Sequence, residues 1–174
     1  MSGEIEQALR EAVICFSAGL YTPCAAMLGS ASEGVWEEVG YSLAQAARSA
    51  DDSKATKLEA TLSNFFSSVA KKMRAVYSFY ADRNLMEEIW VRSQVKPKLL
   101  EHILVWSDAV RDSRNTLHPA VTPRTPNTRE KLSSLLLGAV PFFTRLFAIK
   151  SSADVAAKAA ERTTTTEVTK RMDR

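Results

Sequence analysis

Apolar residues along this chain return every three or four positions, the repeat of a helix with one buried face. Ile5, Leu9, Ala12, Val13, Phe16 and Leu20 mark a first helix. Tyr21-Thr22-Pro23 reads as a restart, with Thr22 as the cap and Pro23 at the first helical position. Cys24, Leu28, Ala31, Val35, Val39, Leu43 and Ala46 form the next stripe. Gly29, Gly34 and Gly40 lower its intrinsic helix preference but leave room for a close neighbour. Capped at Asp51-Asp52-Ser53, Leu58, Leu62, Phe65, Val69, Met73, Val76 and Tyr80 predict one long amphipathic helix. Lys54, Lys57, Lys71, Lys72 and Arg74 would lie on its solvent side.

Asn84 with Glu87 resembles a capping box opening a shorter helix. Pro97 starts another, through Leu99, Ile103, Trp106, Val110 and Leu117, which Pro119 must end. Residues 119–126, with three prolines, read as a loop. Asn127 or Thr128 then caps a last core helix through Leu132, Leu135, Ala139, Phe142, Leu146 and Ile149, kinked at Pro141. Past Lys150 the pattern thins to an alanine-rich marginal helix, then threonines and alternating charge. No useful strand signal and no internal repeat are visible. The expectation is an all-α bundle of about five to six helices over residues 1–150, with 151–174 as a flexible tail.

Composition narrows the function classes. With 174 residues and 45% hydrophobic content, the chain can bury a core without disulfide or metal staples. Two cysteines and two histidines leave little for a metal site, and no metal or cofactor is expected. The start, MSGEIEQ, lacks the features of a secretory signal. The most apolar run, Leu135–Phe143, is interrupted by Pro141 and too short to span a bilayer. A cytoplasmic protein with reduced thiols and no membrane association is therefore expected. Net charge is only +3, yet residues 1–50 carry two basic and six acidic side chains, and residues 96–150 nine basic and four acidic. That asymmetry permits a phosphate ligand.

Most candidate chemistry has a plain structural reading. Glycine-rich phosphate loops, HExxH, CxxC and GxSxG are absent. Glu37-Glu38 and Glu87-Glu88 diverge around their helices and read as solvated faces. Trp36, Trp90 and Trp106 read as core or interface aromatics, and Cys15 and Cys24 as small packing residues.

One segment stands apart: Arg111-Asp112-Ser113-Arg114-Asn115-Thr116-Leu117-His118-Pro119. At about 100° per residue, Arg114, His118, Arg111 and Asn115 share one flank of the helix, with Arg114 nearly on the packing stripe. Burying an arginine there demands a negative partner. A structural knot meets that demand, the arginines bonding helix-end carbonyls or the acidic N-terminal half.

The same string resembles the R-x(4–6)-H signature of the HEPN superfamily, small helical bundles common in bacterial defence and toxin modules. Upstream, EAVICFSAGLYTPCAAMLGSASEGVWEEV resembles the first helical hairpin of such domains, whose second helix carries a glutamate, here Glu33. Together the two stretches bracket most of residues 4–150. Six residues separate Arg111 from His118 and three separate Arg114 from it, so the family arginine is left open between them. Ala120 stands where one subgroup has a tyrosine, which leaves that subgroup's tyrosine modification without a target.

The resemblance implies a metal-independent endoribonuclease acting on single-stranded RNA. His118 would move protons, Arg111 and Arg114 would hold the phosphate, and Asn115 would orient the phosphate or His118. Glu33 would orient an arginine, while Arg124, Arg129 and Lys131 would guide the polyanion. A forked guanidinium suits the charged transition state, and imidazole supplies a proton carrier near neutral pH. His102 cannot share that work, lying about 24 Å along the same helix on another face. A homodimer with two Arg111–His118 segments facing across the axis would supply a second histidine. Partners implied are RNA and an antitoxin or other defence protein. The alternative is a non-catalytic dimeric adaptor binding a partner protein or nucleotide; a third reading is a purely structural bundle.

Overall fold

In the computed structural model, Gly19 turns the chain after the first helix, at a φ of +75° that L side chains rarely adopt. Leu20 N–H donates to the Cys15 carbonyl at 2.8 Å and Gly19 N–H to the Phe16 carbonyl at 3.0 Å, closing the last helical turn. The next helix begins at once, at Tyr21, without a side-chain cap; Thr22 lies inside it. The model describes residues 2–116 and 126–172, with side chains as far as Arg162.

Seven helices follow in order: α1 (Gly3–Ser17), α2 (Tyr21–Ala47), α3 (Asp52–Ser63), α4 (Val69–Tyr80), α5 (Arg83–Ser93), α6 (Pro97–Asn115) and α7 (Arg129–Met172). No strand occurs among the described residues. The protein is an all-α bundle.

The central helix is α2, which packs against α1, α3, α4, α6 and α7. Its buried residues lie nearly all round, Leu28, Val35, Trp36, Val39 and Leu43 among them. Glycine makes that packing close. A Cβ on Gly40 would stand 2.7 Å from methyl groups of both Leu62 and Val76, so α3 and α4 reach this helix only because that atom is missing.

The long helix expected over 53–80 is two. Asp51 caps α3, accepting from Lys54 N–H at 2.9 Å. At Asn64 the side chain accepts from Phe66 N–H at 2.8 Å, and Ser68 caps α4 by accepting from Lys71 N–H. These side-chain bonds replace the helical ladder between Ser63 and Val69. The apolar repeat stays in register across the break, so periodicity alone could not show it. Phe65, expected in the stripe, stands exposed. Asp82 rather than Asn84 caps α5, accepting from Asn84 N–H at 3.1 Å.

Pro97 opens α6 as expected. Leu117, Pro119 and the expected proline loop to Thr125 lie outside the described residues. Thr128 Oγ1 accepts from Lys131 N–H at 3.3 Å where α7 begins. This helix continues through Pro141, on its exposed face, and on to Met172. Ser152, Ala153 and Ala157 are buried, so the core extends past Lys150. From Arg129 to Arg162, α7 is long and apolar enough to cross a membrane, by length and composition. Here Leu132, Leu135, Ala139, Leu146 and Ile149 face the core of the bundle.

Candidate functional site at the end of α6

Arg114 crosses from α6 to α2 and donates from Nη1 to Glu33 Oε1, pairing residues 81 positions apart. A Cβ on Gly29 would stand 2.8 Å from Arg114 Cδ and 3.1 Å from its Cβ. Gly29, one helical turn before Glu33, is therefore the seat for the arginine's methylenes. Burial lifts the Glu33 carboxyl above its ordinary range, against the opposing pull of Arg114. Glu37, a further turn along, takes Lys72 Nζ at 2.8 Å. Lys72 is thus half-buried in an ion pair rather than on a solvent face.

Arg111 is anchored differently. Its Nη1 stands 2.8 Å from Asp108 Oδ1, and its Nη2 donates to Asp112 Oδ1 at 3.1 Å. Both partners are on α6 itself. Asp108 Oδ1 makes no aligned hydrogen bond despite that proximity, and Arg74 of α4 lies 3.8 Å from its other oxygen. Asn115 is half-buried in the last turn.

The segment that leads into α7 is tied to the same helix end. Asn127 Nδ2 donates to the Ser113 carbonyl and to Thr116 Oγ1, each at 3.0 Å. That fastens the start of α7 beside Arg114, a positioning role for Asn127 that the linear pattern did not signal. Arg129 is exposed and Lys131 half-buried in the first turn of α7. His118 and Arg124 lie outside the described residues. The structure therefore brings Glu33 and Arg114 into contact and puts Arg111 and Asn115 on the same helix end.

The remaining candidates resolve into structure. Each tryptophan spends its indole N–H inside the protein: Trp36 on Ser107 Oγ at 2.9 Å, Trp90 on the Tyr80 carbonyl at 2.9 Å, Trp106 on the Leu135 carbonyl at 3.2 Å. Burial pushes the Cys24 thiol up to about 11, far from a reactive thiolate. Glu87 and Glu88 pair with Arg83 and Arg92 on the surface. Glu37 and Glu38 correct the expectation of a solvated face, being half-buried, with Glu38 accepting from Ser2 N–H at 2.9 Å. Among the described residues no group of three or more His, Cys, Asp or Glu side chains is placed to hold a metal ion.

No family model matches the chain, and no curated protein or solved structure matches it.

Proposed function

We propose that the C-terminal end of α6 is the active site of a metal-independent endoribonuclease of HEPN type, acting on single-stranded RNA as a homodimer. The observation that carries this reading is the Glu33–Arg114 pair, which joins the hairpin and the motif that bear the resemblance. A carboxylate that fixes a guanidinium leaves its remaining N–H groups aimed and ready for phosphate.

The two arginines divide the work by their anchorage. Arg114, held on Gly29 and Glu33, positions the helix end and offers a fixed fork. Arg111 exchanges Asp112, which is 69% exposed and easily hydrated, for a phosphate oxygen. His118, three residues after Asn115 in the sequence, takes the proton of the attacking 2′-hydroxyl. The new O2′–P bond forms as the P–O5′ bond breaks, and the departing 5′ oxygen receives a proton from the partner's copy of the same histidine. Products are a 2′,3′-cyclic phosphate and a 5′-hydroxyl.

The test is cleavage of single-stranded RNA in the presence of a chelator. His118→Ala should lose about 10²–10⁴-fold in rate with an unchanged melting temperature. Equal cleavage by that variant would remove the assignment. A second reading, the non-catalytic dimeric adaptor, draws on one specific fact: both arginines already carry carboxylate partners. It is favoured if purified wild-type protein dimerises but leaves RNA intact.

A further inference from the structure

Among the described residues, the most exposed large apolar side chains stand together between α3 and α4. Phe65 is 91% exposed and Phe66 94%. Their rings touch each other, centroids 5.9 Å apart and planes at 83°, so ring faces point in two directions. They are displayed by an ordered turn, fixed by the Asn64 side chain on Phe66 N–H and the Ser67 N–H on the Asn64 carbonyl. A turn built to hold two phenylalanines in water keeps apolar surface exposed that the same residues could bury in a continuous helix.

The surroundings indicate the ligand. From Ala60 to Ala81 there is no carboxylate, while Lys71, Lys72 and Arg74 fall in that stretch. Lys57 and Lys71 are exposed and have no ion-pair partner among the described residues. Along the same hairpin runs a groove of about 320 Å³ lined in part by Lys57, Thr61 and Phe79, with Lys54 and Asp82 in it paired to each other at 2.8 Å. On the inner side, Leu62 and Val69, which bracket the turn, line a crevice with Glu33 and Lys72. The aromatic turn is thus continuous with the elements that hold Arg114. Open ring faces on a hairpin that also carries unpaired lysines are what a single strand uses, bases stacking on the rings while phosphates meet lysines.

We infer that the α3–α4 hairpin is a binding platform for single-stranded RNA, with Phe65 and Phe66 stacking bases and Lys57 and Lys71 contacting phosphates. The choice of RNA rests on the nuclease reading above, but the platform is testable without cleavage.

The experiment measures fluorescence anisotropy of a labelled 12-nucleotide single-stranded RNA with the full chain carrying His118→Ala, in chelator. Replacing both phenylalanines by leucine keeps bulk and hydrophobicity but removes the π faces; affinity should fall about 10-fold or more. Replacement by tyrosine should retain binding. Lys57→Gln with Lys71→Gln should flatten the log–log salt dependence by about 1.4, two single-strand phosphate contacts. Leucine variants that bind like the parent, or no RNA binding by the parent, overturn the platform. So does binding to phosphatidylserine vesicles, but not RNA, that the leucine variants keep, which marks a membrane anchor instead. Phenylalanine-dependent binding without cleavage by the wild type upholds the platform and sinks the nuclease; cleavage with an unchanged KM in the leucine variant does the reverse.

Discussion

Arg111 and Arg114 sit three residues apart on one helix, yet they are held by opposite means. Arg111 finds both carboxylates on α6, at Asp108 and Asp112, so its contacts form whenever that helix forms. Arg114 finds its carboxylate on α2 and its seat on a glycine of α2, so its contact forms only when the bundle closes. The difference separates a side chain free to change partners from one that reports on the packed core. Under the proposed nuclease reading it would give the arginines different tasks, binding for one and positioning for the other.

The sharpest way to break this contrast is Arg114→Ala. It strands the Glu33 carboxyl, half-buried, without its cation. Because Arg114 is 39% exposed, the loss should stay below that of a fully buried pair, about 1–3 kcal/mol by urea denaturation. A loss indistinguishable from zero would mean the pair is held by solvent rather than by the core.

Gly29→Ala comes next. The new Cβ would collide with the Arg114 methylenes, so in the wild-type background it should destabilise by about 1 kcal/mol despite alanine's better helix preference. In the Arg114→Ala background, which removes Cγ and Cδ but keeps the Cβ 3.1 Å away, the cost should shrink by at least half. Additive effects in the double variant would contradict the seat.

A smaller effect concerns pH. The Glu33 carboxyl is raised above its ordinary value of 4.5, so the folded state holds this proton more tightly than the unfolded state. Stability from this group is therefore greatest in acid and falls as pH rises through and above 4.5. Glu33→Gln should remove that component, so the denaturation midpoint of the variant relative to wild type should rise between pH 4 and 7. A fall of the variant's midpoint relative to wild type over that range would reverse the assigned direction.

Smallest of all is Arg111→Ala, whose contacts are local and whose Asp112 partner is solvated. Expected destabilisation is about 0.5–1 kcal/mol, because Arg111 is 22% exposed and Asp108 29%, while RNA cleavage should fall at least tenfold if this arginine meets phosphate. A stability loss matching that of Arg114→Ala, with cleavage untouched, would make both arginines parts of one structural knot.

Much of the fold was legible because helical burial repeats in the sequence. The stripes through Leu28, Val35 and Leu43, and through Leu132, Leu135 and Leu146, are buried where the repeat predicts. The break at Asn64 was not legible, since the apolar period runs through it unaltered and only side-chain capping decides it. Within the site, the demand that Arg114 find an anion follows from its place beside the stripe. The role of Gly29 does not, because a glycine in a helix looks the same whether it seats an arginine or a leucine.

The sequence by itself determined an all-α bundle, helix boundaries near Pro97 and Asp51, and a charged flank on α6. Those are local matters: spacing, caps and backbone preference act within a few residues. Only the tertiary structure decided which carboxylate meets Arg114, which glycines admit close neighbours, and that Phe65 and Phe66 stand in solvent. Those depend on distances between helices remote in the chain, and on competition between a turn's hydrogen bonds and a stripe's burial. Hydrophobic periodicity records that a face is buried, but not what lies against it.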